Sequence, residues 1–221
     1  MAIVSMILGE SGTGKSTSLR NLDPAQTLLI QAVRKPLPFR AAGWKPYSKL
    51  DGSGSIVVTD KSSFIEGAMT KIPRPIVVID DFQYILANEF MRRVTDKEVG
   101  NAAFAKYNEI ARSAWDVLTT AASLAEGRRV YLLSHSTTDE LGHTKIKTIG
   151  KLLDEKIVLE GMVTIVMRSM VRDGQYQFAT KNNGSDTVKT PLGMFDEPYI
   201  DNDLAAVDAQ IVSYYGATQE A

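Results

Sequence analysis

The chain has 221 residues and a formal net charge of −1, a length that suits one domain with a substantial core. Its 44% hydrophobic and 23% charged residues exclude a disordered chain, and no apolar run approaches the roughly 18 residues that a membrane span needs. With no cysteine it has neither a disulfide framework nor a thiolate metal site, which fits a reducing compartment.

Strand-like and helix-like segments alternate. Ala2 to Leu8 is an apolar strand that begins at once, with no basic segment and cleavage site of a secretory signal. Lys15 to Asn21 reads as a helix stopped by Asp23-Pro24. Thr27 to Gln31 and Ser55 to Thr59 are β-branched, apolar strands. Between them, Arg34 to Gly54 is punctuated by proline and glycine and reads as a long loop or lid. Ser62 to Thr70 has helical spacing, with Ser62 or Ser63 as N-cap. Ile76 to Ile79 is a continuous apolar strand of the kind buried on both faces of a parallel sheet. An alanine-rich helix is expected from Asn101 to Ala125, followed by a buried strand at Val130 to Leu133. Asp139 to Lys151 reads as a polar loop. Thr164 to Val171 and Gln175 to Thr180 form a late β-hairpin turning at Asp173-Gly174. The last stretch, 196–221, carries Asp196, Glu197, Asp201, Asp203, Asp208 and Glu220 without any Lys or Arg. This acidic segment closes a moderately basic body. That body either offers a nucleic-acid face or is an ordinary solvated surface. The alternation implies an α/β fold with a mainly parallel sheet flanked by helices, as a single domain over 1–221.

Gly9-Glu10-Ser11-Gly12-Thr13-Gly14-Lys15-Ser16 matches the P-loop pattern in full, with a strand before it and a helix after. Glycines allow the backbone to turn its N–H groups toward phosphate oxygens, and a helix N-terminus adds a favourable dipole. Lys15 is expected on the β- and γ-phosphates, Ser16 on Mg²⁺, and Thr17 near the α-phosphate of bound ATP. In Ile76–Asp81 an apolar strand delivers Asp80, the expected acid of a Walker B element, to the metal's water or to Ser16. Asp81 follows, either as the carboxylate that polarises the attacking water or as a solvated or capping residue. Glu10 and Glu89 are alternative bases. In Val130–Ser136, His135 or Ser134 could sense the γ-phosphate beside Asp80, or be hydrogen-bonded core residues. His143 falls in the next loop, and two histidines without cysteine do not suggest a metal site.

These residues carry a resemblance. Gly9–Ser16, Ile76–Phe82, Val130–His135, Gly150-Lys151 and Asn202-Asp203-Leu204 are similar to phage-encoded AAA-type or RecA-core ATPases. So are Asp186–Phe195, Ile200–Leu204 and Tyr214-Tyr215. That group includes the Sak-type single-strand annealing proteins. The resemblance implies a RecA-like core, Mg²⁺-dependent ATP hydrolysis and single-stranded DNA as partner in phage recombination or replication. It also implies a homo-oligomer in the bacterial host cytoplasm, with ATP at the subunit interface. A neighbour's cation would reach the γ-phosphate there. Lys181 and Lys189 are candidates, or else plain surface lysines. In one respect the chain departs from the pattern. Leu29–Val33 carries no acid where RecA-type enzymes place their catalytic glutamate, so either Asp81 takes that role or hydrolysis is slow. DNA contacts are expected from Lys145, Lys147 and Lys151, and from Arg34, Lys35, Arg40 and Lys45 interleaved with Phe39, Trp44 and Tyr47. The alternative for these aromatics is covering the loop's own core. The rival functions are a small-molecule or nucleoside kinase and a non-hydrolysing nucleotide switch.

Overall fold

The β-branched, apolar runs form strands in the computed structural model, which describes residues 1–96, 101–150 and 152–216. The parallel part of the sheet runs β3 (Ile56–Val58), β2 (Thr27–Gln31), β4 (Ile76–Asp80), β5 (Arg129–Thr138), β1 (Ile3–Gly9) and β7 (Ile165–Arg172), in that spatial order. Beyond β7 the antiparallel strands β8 (Gln175–Ala179) and β9 (Tyr199–Asp201) extend the edge. A short strand, β6 (Thr144–Ile146), folds back on the end of β5. All residues of β2 and β4 are buried, as strands covered on both faces must be.

Alternation along the strands divides the core into two layers. Met6 and Leu8 of β1, Ile79 of β4 and Leu132 of β5 face one layer. It is covered by α1 (Ser62–Lys71), α2 (Gln83–Arg92) and α3 (Asn101–Ser123). Ile7, Val78 and Leu133 face the other, with Leu19, Trp44, Phe195 and α4 (Leu204–Tyr215). The helix α4 has clear ends. The Asp203 carboxylate accepts from the Ala205 N–H at 3.0 Å, and Gly216 closes the helix in the left-handed conformation, φ 62°. The sheet is therefore α/β and mostly parallel, flanked by helices on both sides.

The late hairpin forms as expected. Asp173 and Gly174 both have positive φ, 51° and 76°, the two-residue geometry that suits the twist of the flanking strands. Other expectations need correction. The helix after the glycine loop is a six-residue 3-10 segment, Ser16–Asn21, cut short by the extended Leu22 before Asp23-Pro24. Lys61, not Ser62 or Ser63, occupies the N-cap of α1, and no side chain caps it. Asp139 to Gly150 is not a simple loop. The strand β5 continues past Leu133 to Thr138 and pairs with β6 through Ser136–Ile146 and Thr138–Thr144. The elements α2, β9 and α4 were not foreseen. Lys151 and the end of the acidic segment, 217–221, lie outside the described residues.

A buried network ties α4 to the start of β5. The Arg129 guanidinium donates to both oxygens of Asp208 at 2.9 Å, and the Tyr131 hydroxyl donates to Asp208 Oδ1 at 2.6 Å. Arg129 is 2% exposed, so removing its partner would leave an uncompensated charge in the interior. Asp208→Ala is expected to lower stability by about 3 kcal/mol or more in urea denaturation. A loss near zero would contradict a closed, dry network.

Candidate functional site

Three segments converge at the C-terminal edge of the parallel strands. Gly9 ends β1, Asp80 ends β4, and His135 lies on β5 between them, in register with Gly9. Open parallel sheets collect ligands beyond the carboxyl ends of their strands, because loops and helix starts meet there.

The loop after β1 is shaped by glycine for two different reasons. Gly12 and Gly14 hold φ of 82° and 92°, which side chains with a Cβ rarely adopt. Gly9 is required by space, since a Cβ there would stand 2.7 Å from the Ser169 carbonyl oxygen of β7. Ser169 also ties the loop down, its hydroxyl donating to the Thr13 carbonyl at 2.5 Å, while Asn202 donates to Ser169 at 3.2 Å. Among the described residues, the backbone N–H groups of Gly12, Gly14 and Lys15 donate to no group. Open donors in succession form a concave anion site. The expected helix dipole contributes little, because the segment that follows is one short 3-10 piece. The cradle therefore rests on the N–H groups and Lys15.

Lys15 is 6% exposed, and its ammonium donates to the Gly9 and Glu10 carbonyls at 2.8 Å each. Burial lowers its pKa to about 8, although Asp81 and Asp80 pull in the opposite direction. Ser16 donates its hydroxyl to Asp80 Oδ1 and Oδ2 at 2.9 and 3.0 Å. Asp80 is 1% exposed. Burial, and then the neighbouring Asp81, push its pKa up to about 6, against the opposing pull of Lys35, Ser16 and Lys15. Mg²⁺ binds through one or two carboxylates together with substrate phosphates and waters. A serine hydroxyl against a buried carboxylate, beside an anion cradle, fits that partial shell. Among the described residues no group of three or more His, Cys, Asp or Glu could hold a metal by itself.

Asp81 is buried and holds a positive φ of 65°, an unusual backbone for a residue with a side chain and one that clusters at functional sites. Its carboxylate binds the Lys35 ammonium and lies 3.6 Å from His135 Nε2. Lys35 Nζ also stands 3.9 Å from Asp80. Partial burial disfavours the Lys35 charge, but the two carboxylates outweigh it and hold its pKa above the usual value. His135 is pushed the other way by burial and by Lys15, only partly offset by Asp81. Its ring meets Tyr84 edge-on at 5.9 Å.

The glycine loop with Lys15, Ser16 and Thr17, and Asp80, Asp81 and His135 are thus brought together. Other candidates are not. Ser134 is fully buried and alternates with Leu132 onto the helix-covered face away from Asp80. Glu89 is committed to Arg92 at 2.7 Å on the surface of α2. Glu10 is exposed, with only its carbonyl engaged by Lys15 and Thr13. His143 is exposed in the β5–β6 turn beside Asp139. Lys181 and Lys189 are both exposed, and Lys181 donates to the Phe195 carbonyl at 2.6 Å. Phe39 and Trp44 pack edge to face at 6.3 Å against the core, and Tyr47 packs on the other layer. These aromatics cover the protein's own interior. Lys35, expected among the DNA-facing cations, has its ammonium at the site carboxylates while its side chain stays partly exposed. Nothing in the local pattern marks it beyond its place just after β2, the strand that pairs with β4.

No family model matches the chain, and no curated protein matches it. The site stands on its geometry, and Asp80 gives a direct check. Its folded pKa is raised from 3.8 to about 6, so in the metal-free chain its stabilising contribution is complete below 3.8 and disappears as the pH rises through about 6. Asp80→Asn removes this penalty. At pH 7 the ligand-free variant is expected to gain about 1 kcal/mol in urea denaturation. A variant less stable at pH 7 would contradict the electrostatic picture. Gly9→Ala, which drives a methyl into the Ser169 backbone, is expected to abolish nucleotide binding in a chain that still folds, as followed by circular dichroism and calorimetry.

Proposed function

We propose that the chain is a magnesium-dependent P-loop ATPase with a RecA-like core, acting on single-stranded DNA in phage recombination or replication. The observation that carries the nucleotide half is the contact between Ser16 and Asp80. It brings a loop of unpartnered N–H groups and a buried lysine against a buried acid from a strand two places away in the sheet. That combination suits a polyphosphate whose metal bridges to the serine.

In this reading Lys15 and the loop amides hold the β- and γ-phosphates, and Ser16 and Asp80 orient the metal. Mg²⁺ supplies charge neutralisation on the phosphate oxygens. Asp81 orients the water and accepts its proton as the water oxygen bonds to the γ-phosphorus and the bond to the bridging oxygen breaks. His135, beside Asp81, registers whether the terminal phosphate is there. The resemblance to Sak-type phage ATPases supports the DNA half, the cytoplasmic setting and assembly with ATP between subunits. So does the presence of exposed cations at Arg34, Arg40, Lys45 and Lys147. Lys189, exposed like Lys181 but not engaged with the Phe195 carbonyl, is the better candidate for a cation donated to a neighbour's nucleotide. No described helix is long and apolar enough to cross a membrane.

One observation favours a slow switch as second reading: Asp81 is bound by Lys35, so the base is not free in the nucleotide-free chain. A kinase finds less support. Of the paired arginines, Arg92 is engaged with Asp60 and Glu89, Arg93 with Glu109, and Arg129 with Asp208. Phosphate release is expected to rise when single-stranded DNA is added at low salt and to vanish in Lys15→Ala. Tight ATP binding without DNA affinity would overturn the DNA half. Phosphoryl transfer to nucleoside monophosphates would overturn the hydrolase.

A further inference from the structure

The ammonium of Lys35 occupies an uncommon place. It binds Asp81 and stands 3.9 Å from Asp80 Oδ2, the same oxygen that accepts from Ser16 at 3.0 Å. The cation and the serine thus bracket one carboxylate oxygen. The Lys35 backbone is held where it is, because the Gln31 amide, buried at the end of β2 beside Asp80, donates to the Lys35 carbonyl at 3.1 Å. Its side chain, by contrast, is 37% exposed and anchored only through its ammonium, on Asp81 and near Asp80. From Val33 to Arg40 half-buried and exposed residues alternate, which puts Lys35 on the half-buried side together with Val33 and Leu37. A metal held by Ser16 and Asp80 would place a second positive charge within a few ångströms of this ammonium, where like charges repel strongly in a buried site. The terminal phosphate of a triphosphate brings compensating negative charge to the same position.

We infer that Lys35 is a γ-phosphate-sensing cation supplied by the chain itself: a counter-ion of Asp81 without nucleotide, and a ligand of the terminal phosphoryl oxygens when a magnesium–nucleoside triphosphate is bound. This rests on the nucleotide reading proposed above. It gives the site a means of telling a triphosphate from a diphosphate. With a diphosphate the ammonium stays on Asp81 and blocks it. With a triphosphate it leaves, and Asp81 is released to the water. Lys35 thereby acts on Asp81 by position, and on the terminal phosphate by contact.

Calorimetric binding of ATP and ADP with magnesium tests this without relying on turnover. The wild-type chain is expected to prefer ATP. Lys35→Gln is expected to lower the ratio of ATP to ADP affinity about tenfold, the scale of one charge-assisted hydrogen bond, with ADP affinity almost unchanged. Lys35→Arg should restore most of the preference. In a second variant that leaves the lysine intact, Asp81→Asn frees Lys35 from its partner and should preserve or increase the preference. Equal loss for both nucleotides in Lys35→Gln, no loss for either, or a collapse of the preference in Asp81→Asn would overturn the sensing role. A wild-type chain that binds neither nucleotide would overturn the nucleotide reading and this inference with it.

Discussion

One serine hydroxyl on one buried carboxylate, Ser16 on Asp80, holds the two halves of the site together. The strands that carry them, β1 and β4, are not neighbours, since β5 lies between. Strands are spaced by about 4.8 Å, so the intervening strand opens a gap at the sheet edge that the loop after Gly9 must lean across. The hydrogen bonds at 2.9 and 3.0 Å are the points at which it does so. The other shaping contacts serve that lean. Gly9 lets the loop pass the Ser169 backbone, and the Asn202–Ser169–Thr13 chain fixes its far side.

The electrostatics of this edge are deliberately unresolved in the ligand-free chain. Asp80 is buried enough to raise its pKa and Lys15 buried enough to lower its own, so both groups resist the charge that they would carry in water. Each is stabilised only partly by the other, and Lys35 helps Asp80 while it disfavours the charge of Lys15. Such opposed shifts cluster at functional sites. A polyphosphate and a divalent cation, on the proposed reading, would bring the missing counter-charges, so the same groups that weaken the ligand-free fold would strengthen the complex. Asp81 adds backbone strain to this tension with its positive φ.

Much of the core of this arrangement was legible in the chain. The glycine spacing from Gly9 to Ser16 and the apolar run into Asp80 are local patterns, and local patterns survive folding. The parallel sheet followed from the alternation of elements, and the hairpin from Asp173-Gly174. What was hidden depends on contacts distant in sequence. His135 sits within β5 because β6 pairs with its extension, and β6 is only three residues long. The helix α4 was masked by the acidic residues, yet one of them, Asp208, is buried against Arg129 and Tyr131. Charge pattern alone marks the segment only as acidic. Lys35 stands among the expected DNA-facing cations because nothing in Arg34–Gly54 announces that it turns to the site carboxylates while Leu37, Phe39 and Ala41 pack on the core. The aromatics of that segment were equally ambiguous until their packing on the core was visible.

The most direct measurement is a crystal structure with magnesium and a slowly hydrolysed ATP analogue. Phosphate oxygens within hydrogen-bonding distance of the Gly12, Gly14 and Lys15 amides and the Lys15 ammonium, with the metal on Ser16 and beside Asp80, are the expected result. A nucleotide bound elsewhere on the chain, with the Ser16–Asp80 contact undisturbed and the loop amides facing only water, would contradict it.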